Sequence, residues 1–264
     1  MSASQLIEKV FDTRIKHALK AAAWHLLLSL VVALLAGVVV FGLWYPYPYR
    51  ELSGGRELFL LIMAVDVVCG PLLTFVLFNP AKPRAELFRD LGVVAIIQIA
   101  ALIYGLYTVS MARPVYLVHE VDRLRVVSRA DVPDDQLKPE LGGFHKLPLF
   151  GPVLVGVRDA KDPVERAKSL DLAFQGQDIA VRPDWWQNYE LSRNQVLSRA
   201  KPIANLRTKV PSATQLIDKA VSDSGIAESS LLYIPVTSFK SADWVAFIDS
   251  KTAIPLAYAP IDGF

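Results

Sequence analysis

The chain has 264 residues, 53% of them hydrophobic, with a mean hydropathy of +0.34. That is above the level of ordinary soluble proteins, because the apolar excess is concentrated before residue 112. Residues 1–114 hold ten Lys/Arg against seven Asp/Glu and residues 115–264 eighteen against nineteen, so the second part lacks the basic excess that nucleic acid would require. The one cysteine, Cys69, sits in an apolar run, which excludes an internal disulfide framework and leaves the redox compartment unmarked.

In chain order, Lys9, Arg14, Lys16 and Lys20 precede the apolar stretch Trp24 to Trp44. Twenty-one residues without a small-residue cleavage pattern are too long for a signal-peptide core, so an uncleaved first transmembrane helix is predicted, with the two tryptophans as interfacial anchors. A second helix is expected over 58–78 and a third over 91–111. Twenty-one positions at about 1.5 Å rise give roughly 30 Å, the thickness of the hydrocarbon layer. Basic residues number four before the first helix, two in the loop after it (Arg50, Arg56) and three in the next loop (Lys82, Arg84, Arg89). The positive-inside rule then places the N-terminus and second loop in the cytoplasm. Everything after Arg113-Pro114 is delivered to the opposite side, the periplasm of a bacterium.

The second helix carries Asp66 near its middle and Gly70-Pro71 one turn later. A carboxylate at bilayer depth costs roughly 2.5 to 3.5 kcal/mol on insertion scales, so it needs a partner within the protein or on a neighbour. Gln98 of the third helix, or a backbone group freed by Pro71, would serve as an internal partner. Counted from the cytoplasmic ends, Gln98 and Asp66 differ in depth by roughly 8 Å at helical rise, so direct contact requires tilt or a kink. The other reading makes Asp66 the receiver of a polar or cationic group from another protein's transmembrane segment. Gly70-Pro71 is expected to bend the helix. Tyr45, Tyr47 and Tyr49, in the first loop, are expected at the membrane interface, as anchors or as a contact surface for a partner.

About 150 residues follow, enough for one domain, predicted as α+β with a mainly antiparallel sheet and helices on one side. Residues 115–121 and 124–127 alternate as strands of a hairpin, and 153–157 is a further strand. Asp162-Pro163-Val164-Glu165 reads as a helix start with Asp162 as N-cap and Glu165 reaching back. Ser212 with Gln215 repeats that signature ahead of a helix that Gly225 should end. Residues 185–200 have helical spacing, and 231–236, 244–248 and 253–258 are closing strands. These signals are internally complete, which predicts that residues 115–264 fold alone.

Catalytic or metal chemistry needs clustered His, Asp, Glu, Cys or Ser. This domain's histidines are His119 and His145, and His119-Glu120 is followed by Val121, Asp122 and Arg123 rather than completing H-E-x-x-H. A sheet-face or surface histidine is the expectation. Trp185-Trp186 is read as core packing, with a binding platform as the alternative.

The residues Phe41-Gly42-Leu43-Trp44-Tyr45-Pro46, Tyr49-Arg50-Glu51-Leu52-Ser53-Gly54-Gly55-Arg56-Glu57-Leu58, Asp66 with Gly70-Pro71-Leu72, Phe78-Asn79-Pro80, and Ala112-Arg113-Pro114-Val115-Tyr116 through Val121-Asp122-Arg123 form a set. Over the first 127 residues it resembles the type IV pilin accessory proteins of the TfpX/TfpZ kind. The remainder is similar only in layout. The resemblance implies a multi-pass inner-membrane protein without enzymatic activity or cofactor. It would act as a chaperone that stabilises type IV pilin before assembly, contacting pilin through transmembrane and periplasmic parts. A membrane-anchored periplasmic ligand-sensing receptor is the alternative, weakened by the lack of a cytoplasmic output domain. A membrane enzyme or transporter lacks the expected repeats.

The topology is tested by fusion reporters. Alkaline phosphatase joined between residues 107 and 115 should be active and joined between 82 and 89 inactive; the reverse pattern would overturn the assignment.

Overall fold

The computed structural model describes residues 3–264, with side chains from Phe11 onward. The chain separates into two compact units: one runs up to Gly42 and resumes over Arg56–Ser110, and the other combines Leu43–Gly55 with Met111–Phe264.

The first unit is helical. Helix α1 (Ala3–Val39) continues through a π-helical turn, Val40–Trp44. A single turn, α2 (Tyr49–Leu52), belongs to the other unit, and α3 (Gly55–Leu77) and α4 (Arg84–Ala112) complete the helical one. Phe11–Trp44, Gly55–Leu77 and Arg84–Ala112 are each long and apolar enough to cross a membrane. The helices outrun the predicted spans because charged residues at their ends continue the backbone beyond the apolar stretch. Leu34, Leu61 and Ile96 point away from the protein, as side chains facing hydrocarbon do. Helix α3 passes through Pro71 without a break, although Pro71 donates no hydrogen bond to the carbonyl of Val67.

The second unit is built on an eight-stranded sheet: β1 (Pro114–Glu120), β2 (Arg123–Ser128), β3 (Val153–Val157), β4 (Trp186–Asn188), β5 (Lys201–Pro202), β6 (Leu231–Thr237), β7 (Trp244–Asp249) and β8 (Pro255–Ala259). Its order is β4-β3-β1-β2-β6-β7-β8, with β5 also on β6. The sheet is mixed, not mainly antiparallel as predicted. β1–β2, β6–β7 and β7–β8 are the antiparallel pairs that local turns produce, but β3 runs parallel to β1 and β6 parallel to β2. Long crossover excursions bring those two strands back in the same direction, and no hairpin signal can announce a crossover.

Both faces of the sheet are buried, so helices lie on both sides and not one. Leu117, Leu124, Ile234, Val236 and Ala246 form a cluster with Tyr189 and Val196 of α6 (Tyr189–Arg199) and with Tyr49 and Leu52 of α2. From the alternate positions, Tyr233, Val245 and Phe247 pack on α7 (Ile203–Lys209) and α8 (Thr214–Ser224). Tyr116, Val118 and Val155 pack on Ala180, Trp185 and Trp186, which places both tryptophans in the core. The remaining helix, α5 (Pro163–Phe174), buries only Ser169.

The end signals are met unevenly. Asp162 Oδ1 accepts from the Glu165 amide at 2.7 Å, as a cap should. Glu165 does not reach back to Asp162. It accepts from the Lys161 amide at 2.5 Å and takes both Arg158 Nη atoms at 2.9 and 2.7 Å, which hold its carboxyl down at about 2. Ser212 is no cap, because Pro211–Ala213 forms a 3-10 turn and α8 starts after it at Thr214. Gly225 ends α8 at φ +71°. Helix α6 begins at Tyr189 rather than 185, since Trp186–Asn188 pairs with β3 and Asn188 caps the helix. His119 is buried on the sheet, and burial pushes its imidazole down to about 4, so it is neutral at ordinary pH.

Leu52 is fully buried, and its carbonyl accepts from Ser238 Oγ at 2.6 Å. Leu52→Ala should therefore destabilise the second unit by about 2–5 kcal/mol. Tyr47→Ala, at an exposed ring, should leave the melting temperature of the detergent-solubilised protein unchanged. Equal melting temperatures for both variants would show that the segment is not part of the core.

Candidate functional site

A cavity of about 180 Å³ lies among the three long helices. His25, Ser29 and Val32 of α1, Met63 and Asp66 of α3, and Gln98 and Leu102 of α4 line it with their neighbours. Its walls are mostly apolar, and each helix contributes polar groups: His25 and Ser29 from α1, Asp66 from α3 and Gln98 from α4. Asp66, Gly70 and Thr74 repeat at four-residue spacing, so they occupy one face of α3.

Each of the three meets a neighbouring helix differently. Gln98 Nε2 donates to the backbone carbonyl of Asp66 at 3.0 Å. The predicted pairing of the two residues therefore occurs, but at the main chain and not at the carboxylate. Gly70 makes this possible: a Cβ there would collide with the Gln98 amide, so only glycine lets the side chain reach across. Thr74 shares a hydrogen bond of 2.5 Å with His25 Nδ1, joining α1 to α3. Asp66 Oδ2 is enclosed and has no hydrogen-bond partner among the described residues.

The chemical character of the site follows from that list. It holds a carboxylate acceptor without a donor, in a cavity wide enough for one side chain or an amino group, beside a histidine and an amide already engaged elsewhere. An enclosed acceptor of this kind costs more than an apolar side chain would unless something donates to it. Pro71 follows Gly70 in the same helix and leaves the Val67 carbonyl without its intrahelical donor.

The tyrosines are placed differently. Tyr45 and Tyr49 are buried within the second unit, where burial pushes both phenols up. Tyr49 Oη lies 3.1 Å from Tyr258 Oη, and Gly55 leaves no space for a Cβ beside the Tyr45 ring. Tyr47 is exposed, with the Arg50 guanidinium 5.7 Å from its ring centre. Of the predicted contact residues, Asp66, Gly70 and Gln98 come together, Pro71 adjoins them in sequence, and Tyr45, Tyr47 and Tyr49 form a separate group. His25 and Thr74 were not foreseen. The four-residue spacing from Asp66 to Thr74 and a lone histidine one position inside Trp24 were the available signals.

A family model described as fimbrial assembly protein FimB matches residues 13–54, which hold most of α1 and the tyrosine segment. Across nearly the whole chain, the protein is 38% identical over 252 residues to a fimbrial assembly protein of serogroup I from Dichelobacter nodosus, covering 95% of this chain and 98% of that one. The chain belongs to the fimbrial assembly protein family. The serogroup E1 protein of the same organism matches with the same identity and coverage, and the protein of serogroups C1 and C2 is 45% identical over 124 residues, 47% of this chain and 95% of its own length. No solved structure matches. The matches to the serogroup I and E1 proteins cover 95% of this chain, and so extend over segments of both its helical and its sheet units.

Gly70→Ala should displace the Gln98 amide and cost about as much as Gln98→Ala, on the order of 1 kcal/mol for an interhelical hydrogen bond in a membrane. The double variant should be no less stable than either single variant in detergent unfolding titrations. Additive losses would mean that Gly70 and Gln98 act independently.

Proposed function

We propose that this family member is a type IV pilin accessory protein of the TfpX/TfpZ kind, a non-enzymatic membrane chaperone that stabilises pilin before its assembly into pili. The observation that carries the reading is the enclosed Asp66 carboxylate oxygen without a donor, next to an intramembrane cavity. A carboxylate held at membrane depth favours a cationic or strongly donating partner, and lipid tails offer none. The relatives are named for fimbrial assembly, and the first 127 residues resemble pilin accessory proteins, so a pilin is the proposed source of the donor.

In this reading the protein resides in the bacterial inner membrane with its N-terminus in the cytoplasm and its sheet unit in the periplasm. A pilin awaiting assembly has one transmembrane helix and a globular head on the same side. Its helix would bring a donor to Asp66: the amino terminus of a processed pilin or a basic side chain near it. The sheet unit would meet the head. Gln98, admitted by Gly70, would set the shape of the cavity wall, and His25 would keep α1 in place through Thr74.

Asp66→Asn retains hydrogen-bonding capacity while removing charge, so it separates a cation receiver from a group that only ties the protein's own helices together. Paired immunoblots of membranes from wild-type, Asp66→Asn and Asp66→Ala cells should show pilin becoming scarce while the variant protein itself persists. Unchanged pilin in both variants, at normal levels of the variant protein, would sink the proposal.

A further inference from the structure

The sheet unit contains a second cavity, of about 380 Å³, between α5 and the segment that leads into β4. Its lining includes Lys138, Lys168, Ser169, Leu172, Arg182 and Trp185. Arg182 is 8% exposed, an unusual state for a guanidinium, which almost never leaves water without a carboxylate to pair with. Its contacts do not meet that need. Nη1 donates to Ser169 Oγ at 3.4 Å, at the long limit for a hydrogen bond, and Nε is 3.9 Å from Oδ1 of Asp184, itself largely exposed. Five N–H donors in a fixed fork are thus served by two weak contacts.

The lining carboxylates are those of Asp184 and Glu165, and Gln136 and Gln177 add amides. Glu165, the acidic group closest in kind to a partner, is occupied by both Nη atoms of Arg158. The Trp185 indole Nε1 is enclosed with no acceptor among the described residues. Arg158 and Arg182 both stack on the Trp185 ring, with guanidinium carbons 4.5 and 4.7 Å from its centre. The stacking fixes the guanidinium plane of Arg182 before any ligand arrives. Burial also pulls the Arg182 guanidinium below its ordinary range, which a bound anion would reverse.

We propose that this cavity is a binding site for a monoanionic carboxylate carried by an apolar group, held by Arg182 with Lys138 and Lys168 at the rim. The lining bears Lys138, Lys168 and Arg182 against Glu165 and Asp184, an excess of a single positive charge, which matches a carboxylate better than a phosphate dianion. A guanidinium fork meets a carboxylate bidentately. Leu141, Leu172 and Pro183 supply the apolar wall that a free inorganic ion would leave unused. The site lies wholly in the sheet unit and is independent of Asp66.

The test uses the full chain in detergent and saturation-transfer NMR, with N-acetylleucine as the probe and N-acetylleucinamide as its neutral counterpart. The acid should receive saturation and the amide should not, and equimolar inorganic phosphate should not displace the acid. Arg182→Gln should weaken binding about tenfold or more, the loss expected for a hydrogen bond to a charged group. Lys168→Gln, an exposed rim position that does not threaten the fold, should weaken it about twofold to threefold. Equal signals from acid and amide, displacement by phosphate, or undiminished binding in Lys168→Gln together with a folded Arg182→Gln would overturn the proposal.

Discussion

A polar group surrounded by hydrocarbon has no water to fall back on, so it must be satisfied by the protein or remain costly. The three long helices are arranged under that constraint. Apolar side chains give them little reason to associate, because lipid tails are as apolar as leucine. Close packing and a few hydrogen bonds must hold them. Helix α3 supplies both: its Asp66 carbonyl takes the Gln98 amide from α4, and its Thr74 hydroxyl takes His25 from α1. Gly70, between those two points, is what permits the first, and Gly105 on α4 likewise leaves no space for a Cβ beside Ile62. With those contacts made, Asp66 Oδ2 stays enclosed with no donor among the described residues.

The two cavities express one physical idea in two solvents. Among the described residues, Asp66 Oδ2 lacks a donor inside a helical bundle, and beside Arg182 the Trp185 indole Nε1 lacks an acceptor inside a sheet domain. Each is a buried polar group that is costly unless something pairs with it. Tyr45 and Tyr49 are the contrast. Their hydroxyls and rings are taken up inside the protein, and burying them serves the fold.

Much of the architecture could be read from local signals. The three apolar runs, the β1–β2 hairpin, the Asp162 cap and the Gly225 stop each depend on residues close in sequence, and each appears in the structure. The parallel pairings of β3 and β6 could not be read this way, since they join strands through long excursions. Ser212 carried the right residue type for a cap, but Pro211 drew it into a 3-10 turn. At the site, Asp66 and Gln98 stood out because charge and amide are rare in apolar runs. That the carbonyl and not the carboxylate would receive Gln98 depends on a helix crossing that spacing does not reveal.

The sheet unit is discontinuous: Leu43–Gly55 is synthesised before α3 and α4, and the strands that enclose Leu52 come only afterwards. At synthesis rates of about 5–20 residues per second, Leu52 and Tyr49 wait several seconds for β1, and longer still for β6 and β7. During that interval they are an apolar segment with nothing to pack against, beside a membrane helix that is already complete. Order of manufacture thus puts all three long helices ahead of the strands that bury this turn. The Ser238 hydroxyl that finally caps the Leu52 carbonyl arrives 186 positions later.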